Sequence, residues 1–242
     1  MGSKQDGRTH SSTIDSSRYF RHVYTDTYLR MISAEREFGG KQGRKLEIGS
    51  TGGFLKELVP DLVTTDVRPA DGIDLLVDAR KLPFDDASVA VIFAKDCLHH
   101  IPDITAFLDE SLRVLTPGGV IVCVEPYWGP LARVVYRHFH PEKFDDKVDR
   151  WTFDSSNPME SNQALMYLLL RRDRKEFETR FPGFTIHELG PVIGPSYLLS
   201  GGVDKPFLLP QRLLVRVAGV EDRTRFWRGS LALGFLTVFR KV

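Results

Sequence analysis

Apolar positions along this chain fall into two rhythms. Unbroken apolar runs of strand length recur at 89–94 and 120–124, with shorter strand-like stretches that carry an acid at 46–48 and 62–66, the pattern of strands buried in a parallel sheet. Between and after them, apolar residues return every three or four positions. Ile104, Phe107, Leu108, Leu112 and Leu115 form one stripe, and Leu131, Val134, Val135, His138 and Phe139 have the same spacing, as expected of amphipathic helices. Strand and helix patterns alternate from residue 46 to about 126, and that alternation predicts a doubly wound α/β sheet.

Smaller features refine the order of elements. A helix is expected from about Thr25 to Phe38, ending before Gly39-Gly40; it either caps a ligand cleft or packs on the sheet edge. Residues 1–17 are polar and rich in Ser, Gly and Thr, so a disordered start is expected. Thr116-Pro117-Gly118-Gly119 should end the helix before the fifth strand. Asn157-Pro158-Met159-Glu160 reads as a helix start, with Asn as cap and Pro at the first helical position. That helix is expected to run to near Phe177. Residues 184–189 and 231–240 look like two further strands. The whole is read as one domain from 18 to 242, with a core at 46–126 and substrate-side insertions at 127–182 and 191–228.

The first glycine-rich turn carries the chemistry. Leu46-Glu47-Ile48-Gly49-Ser50-Thr51-Gly52-Gly53-Phe54 is a strand ending, a tight loop and a helix start. Ligands of such sheets bind beyond the carboxyl ends of the strands. The loop lacks GxxxxGK[ST], and it fails GxGxxG at Thr51 and Phe54, so neither a nucleotide-phosphate loop nor a dinucleotide loop is indicated. Asp66 ends the second strand 17 positions after Gly49, near the spacing at which an acid meets ribose hydroxyls.

These residues resemble motif I of the class I S-adenosylmethionine-dependent methyltransferases, an acidic residue followed by GxGxG. Glu47, Gly49 and Gly53 match, while Thr51 replaces the middle glycine. Asp78-Ala79-Arg80-Lys81-Leu82-Pro83-Phe84 resembles the family's adenine-binding segment. Leu98-His99-His100-Ile101-Pro102-Asp103 and Leu115-Thr116-Pro117-Gly118-Gly119 resemble two later features. The resemblance implies a Rossmann-like, doubly wound seven-stranded sheet, mostly parallel with an antiparallel last strand, and helical insertions after strands 5 and 6. It implies S-adenosyl-L-methionine as cofactor, held by Glu47, Gly49, Ser50, Thr51, Gly53, Asp66, Asp78, Ala79 and Lys95. Asp66 would accept from the ribose and Asp78 from the adenine amine. Methyl transfer to a small molecule is expected, most readily at an oxygen of a sugar, lipid-linked or secondary-metabolite acceptor. Transfer to oxygen needs a base, and histidine titrates nearest to neutrality. His99 and His100, at the cleft mouth, are the catalytic candidates. The alternatives are a non-catalytic binding or scaffold protein of this fold, and an enzyme that uses the bound sulfonium for another reaction.

Composition changes this picture little. The chain has 242 residues, 27% of them charged, with a net charge of +1, which gives no general reason to expect nucleic-acid binding. Eight Lys/Arg lie from Lys205 onward against Glu221 and Asp222, a solvated basic face. Within it, Leu213, Leu214, Val217 and Ala218 make an apolar helical face, with Arg212 and Arg216 elsewhere. That face either covers the cleft as core or rests on a membrane surface; the core reading is the expectation carried forward. No apolar run reaches the ~20 residues of a membrane span, so a cytoplasmic protein is expected, with room for peripheral membrane contact. Cys97 and Cys123 form neither a disulfide framework nor a zinc spacing. Asp96, His99, His100 and Asp103 match no standard metal motif, and no metal is expected. Tyr127, Trp128, Tyr136, Trp151, Phe153 and Tyr197 are candidates to line the acceptor pocket.

Overall fold

The computed structural model describes residues 14, 16–154, 160–203, 207–224 and 226–242. Its centre is a seven-stranded sheet: β1 Arg44–Ile48, β2 Leu62–Asp66, β3 Leu75–Leu76, β4 Val89–Lys95, β5 Leu115–Pro126, β6 Phe184–Val192 and β7 Gly234–Lys241. The strand order is 3-2-1-4-5-7-6. β7 runs antiparallel between β5 and β6, and the other neighbouring pairs are parallel. The order reverses beside β1, where β2 lies on one side and β4 on the other. This is the switch point at which such sheets open a crevice.

The apolar runs are buried for the reason the pattern implies. Leu46, Ile92 and Ile121 enter one packed cluster, while Val91, Phe93 and Val122 enter a second on the opposite sheet face. Helix α1, Arg18–Phe38, starts at Ser17, whose hydroxyl accepts from Phe20 N. It packs across β5 and β7, burying Tyr19, Phe20, Tyr24, Tyr28 and Met31. α1 is longer than its expected Thr25 start because Tyr19, Phe20 and Tyr24 are needed in that cluster. Order also reaches back beyond residue 18, since Ile14 and Ser17 are buried; residues 1–13 and 15 lie outside the described set.

Helix α2, Ile104–Val114, is capped by Asp103, whose carboxylate accepts from Thr105 N and Ala106 N. β5 begins at Leu115, earlier than the glycine pair suggested. The register jumps from Val89↔Leu115 to Val91↔Val120, so 116–119 is carried within the strand as a bulge. Helix α3, Pro130–His138, follows β5. The expected helix start at Asn157-Pro158-Met159 lies outside the described residues. The helical turn begins only at Leu165, continues as a π-helical segment Leu168–Arg172 and resumes as α4, Arg174–Arg180. Residues 160–163 stay non-helical because Asn162 N donates to His99 O and Gln163 N to Lys143 O. Helices α5, Pro195–Leu199, and α6, Gln211–Arg223, lie between β6 and β7.

Candidate active site at the carboxyl ends of the strands

The ends of β1, β2, β3 and β4 share one edge of the sheet, and the residues singled out in the sequence gather there. Glu47, on β1, is buried and accepts from the Tyr28 hydroxyl at 3.1 Å and from the Ser50 hydroxyl. Burial pushes its carboxyl up to about 7, against the pull of those two hydroxyls and Lys95. Ser50 is thus turned inward onto Glu47. Lys95, at the end of β4, places its ammonium 4.4 Å from the Tyr24 ring centroid and pairs with Asp96. Burial, the largest single influence, would lower that ammonium; the charge and hydrogen bond of Asp96, together with Tyr197 and Glu125, raise it on balance.

The glycines of the first loop serve chain shape as well as access. Gly49 has φ +63°, and a Cβ there would lie 2.5 Å from Cys97 Sγ in the loop after β4. Gly53 has φ +73°, and its Cβ would meet Gly72 O at 2.9 Å. The two neighbouring loops, after β4 and before β3, therefore require glycine at these positions. Thr51 also lies in the left-handed region, at φ +43°, which strains a β-branched residue.

Asp66 is buried at the end of β2 and accepts from Arg68 N at 2.9 Å. Val77 N donates to Asp66 O, which ties β3 and the Asp78 loop alongside it. Asp78 is exposed and gripped by Arg80, whose Nη2 donates at 2.6 Å. That pairing holds the carboxyl below its ordinary value. Ala79 packs on the core. Val67, directly after Asp66, is 64% exposed; its chemistry gave no signal in the sequence.

Beyond β4 the candidate histidines part company. His99 is buried, with Nδ1 2.6 Å from Glu125 Oε2 and Nε2 3.3 Å from Glu142 Oε2. Burial opposes its charge, but Glu125 and then Glu142 push the imidazole up to about 10. It is a buried imidazolium between two carboxylates. His100 is more open and has Nε2 3.7 Å from Glu142 Oε2. Burial and then the His99 charge lower it, so it is the neutral member of the pair. Glu142 is held down at about 2 because the His99 hydrogen bond and charge overcome its burial. The His99, His100 and Glu142 ligand atoms lie within 4.8 Å of one another, and both ring nitrogens of His99 already face carboxylates.

Two of these residues escaped the sequence reading. Glu125 ends β5 fully buried and accepts from Cys97 N and Leu98 N, each at 2.8 Å, as well as from His99. Its signal was a lone acid closing an apolar strand. Glu142 sits in an irregular loop with no pattern to mark it. Burial pushes the Cys97 thiol well up, which keeps it protonated rather than a thiolate. His140 Nδ1 accepts from Glu142 N, and His138 is exposed. The aromatic candidates divide. Trp151 is buried on Phe177, and Tyr127 stacks on Phe235 with Trp128 beside it. Tyr136 stacks on Phe144, and Tyr197 packs against Phe20 near Lys95. Phe153 N donates to Pro102 O.

A sheet of order 3-2-1-4-5-7-6 with an inverted seventh strand, and acids closing β1 and β2, is the class I methyltransferase architecture that the sequence motifs implied. The same fold occurs in an S-adenosylmethionine-dependent methyltransferase from Archaeoglobus fulgidus, with a TM-score of 0.52 at 12% identity over 89% of this chain and 93% of that one. Residues 16–123 match the family described as "Methyltransferase domain". The chain matches that family over 108 of its 242 residues, a little under half of its length. It is 46% identical over 48 residues to a demethylmenaquinone methyltransferase of Staphylococcus epidermidis, covering 20% of each chain. It is 48% identical over 42 residues to the 27-O-demethylrifamycin SV methyltransferase of Amycolatopsis mediterranei, covering 17% of this chain and 15% of that one. The match thus spans a fifth or less of the length of these relatives.

Proposed function

We propose that this chain binds S-adenosylmethionine across the carboxyl ends of β1 to β4 and transfers its methyl group to an oxygen of a small molecule. One observation carries the reading: Glu47, Asp66, Asp78 and Lys95, from separate strands and loops, converge on one sheet edge beside a glycine loop. Asp66 accepts from the ribose hydroxyls and Asp78 from the adenine amine, with Val67 and Ala79 as apolar flanks. Gly49, Ser50, Thr51 and Gly53 shape the floor of the site. Glu47, under Tyr28 and near Lys95, sets the charge at its inner end. When bound, the cofactor supplies a methyl group on a sulfonium, already a good leaving group. The chain therefore has to align the acceptor, exclude water and take up a proton.

His100 takes that proton. It is neutral, partly open and beside Glu142, which stabilises the imidazolium formed on proton uptake. His99, fixed by Glu125 and Glu142, is a positioning residue that keeps its neighbour neutral. Gln163 Oε1, buried and without a hydrogen-bond partner in the structure, adds an acceptor beside this cluster. The names of the two relatives above favour a small-molecule acceptor, one of them a 27-O-demethylated compound. A sugar, lipid-linked or secondary-metabolite hydroxyl fits the apolar and aromatic insertions; a nucleic acid does not. Incubation with methyl-labelled cofactor and a panel of such acceptors tests the assignment. Label recovered as a methyl ether supports it. Label recovered on carbon, or transfer of a group other than methyl, overturns it.

A further inference from the structure

Residues 211–223 set Arg212, Arg216 and Arg223 among apolar residues, and the helix they form, α6, uses two faces differently. Leu214, Ala218 and Glu221 are buried. Glu221 accepts from Ser196 N at 2.7 Å and from the Ser196 hydroxyl at 2.6 Å. The other face carries Arg212, Leu213, Arg216, Val220 and Arg223, all exposed. Leu213, expected on the inner apolar face, is instead 44% exposed, and Val220, one heptad later, is 60% exposed. Phe226, just beyond the helix, is 89% exposed, and Leu208, just before it, is 69% exposed.

Leaving these four apolar groups in water opposes folding, so packing within the chain does not account for them. The charge on this face has one sign. Asp222 turns toward α1, with Oδ2 3.1 Å from His22 Nε2 and Oδ1 3.9 Å from Arg30, and Glu221 points inward. Among the described residues, no ion pair involves Arg212, Arg216 or Arg223. Arg212, Arg216 and Arg223 thus leave three cations among exposed apolar tips, complementary to an anionic surface. At a bilayer interface that mixture is favourable: apolar tips enter the acyl boundary while arginine stems reach back to lipid phosphates. No helix among the described residues is long and apolar enough to cross a membrane, so such contact is peripheral.

We infer that the outer face of α6, with Leu208 and Phe226 at its two ends, docks this protein on an anionic membrane surface. α6 packs on α1, whose Tyr24 and Tyr28 reach the strand-end cleft, so docking holds that cleft near the bilayer. The inference does not depend on methyl transfer, and its test uses neither cofactor nor acceptor. The full chain is co-sedimented with vesicles of phosphatidylcholine and with vesicles of phosphatidylcholine plus phosphatidylglycerol. Binding is expected only to the anionic vesicles, with release as salt rises. Arg212→Gln with Arg216→Gln should weaken it roughly fivefold per arginine. Phe226→Ser should weaken it as well, each variant keeping the parent's circular dichroism and melting temperature. Absence of vesicle binding, or binding unchanged in these correctly folded variants, overturns the inference. So does a concentration-dependent dimer that Phe226→Ser abolishes, which would assign the face to a second copy of the chain.

Discussion

The Glu125 carboxylate, closing β5, stands 2.6 Å from His99 Nδ1 and also receives the backbone N–H groups of Cys97 and Leu98. One buried acid thereby fixes both the turn after β4 and the histidine on it. Glu125→Gln keeps a hydrogen-bond acceptor but leaves the imidazolium without its closer partner. Breaking one side of a buried pair costs about 3–5 kcal/mol. Urea unfolding should show a loss of that order, and a change under about 1 kcal/mol, the usual size for an exposed pair, would remove Glu125 from this role.

The same cluster fixes a pH dependence. His99 rises from 6.5 to about 10 on folding, so its contribution to stability is whole below pH 6.5 and fades as pH climbs toward 10. Glu142 falls from 4.5 to about 2, so its contribution is present above pH 4.5 and fades as pH drops toward 2. Melting temperature against pH should therefore decline on both flanks. In Glu142→Gln the acid-side decline should shrink, and an unchanged acid flank would contradict the pairing.

His100 and His99 should separate kinetically. If His100 is the base proposed above, His100→Gln should lower kcat on the order of a hundredfold or more with cofactor affinity retained. His99→Asn should lower stability first. Acting through His100, it should also move the pH profile of kcat, because the imidazolium that holds its neighbour neutral is gone. Equal kcat in His100→Gln and the parent would exclude His100 as the base.

The main strands and the acids near the ends of β1 and β2 were readable from local pattern, because each rests on neighbours in the chain. The sheet topology came only with the family resemblance, and the helix expected after the first glycine loop is a short 3-10 turn, Phe54–Glu57. Glu125 and Glu142 were not readable in the same way. Their meaning comes from contacts with His99 across 26 and 43 positions (from Glu125 at 125 and Glu142 at 142 to His99 at 99). Leu213 was misplaced because three- and four-residue spacing cannot fix a helix's rotation when apolar residues occupy more than one face. The late start of the 165–180 helical region has a tertiary cause, the pairing of Asn162 and Gln163 with the strand-end loops.

Thr51 occupies a left-handed position, φ +43°, between Gly49 at +63° and Gly53 at +73°. A β-branched residue there costs on the order of 1 kcal/mol or more. Thr51→Gly should raise the melting temperature without weakening cofactor binding. A lower melting temperature would show that Thr51 is stabilising where it stands.

Calorimetric titration with S-adenosylmethionine and with S-adenosylhomocysteine tests the central assignment most directly, using the parent, Asp66→Asn and Asp78→Asn. The account predicts equimolar binding of both ligands to the parent. Affinity should fall on the order of tenfold or more in Asp66→Asn, the loss of a charged hydrogen bond, and less in Asp78→Asn, which is exposed and shared with Arg80. No binding to the folded parent, or equal affinity in all three proteins, would contradict an adenosyl group held at the ends of β1 to β3.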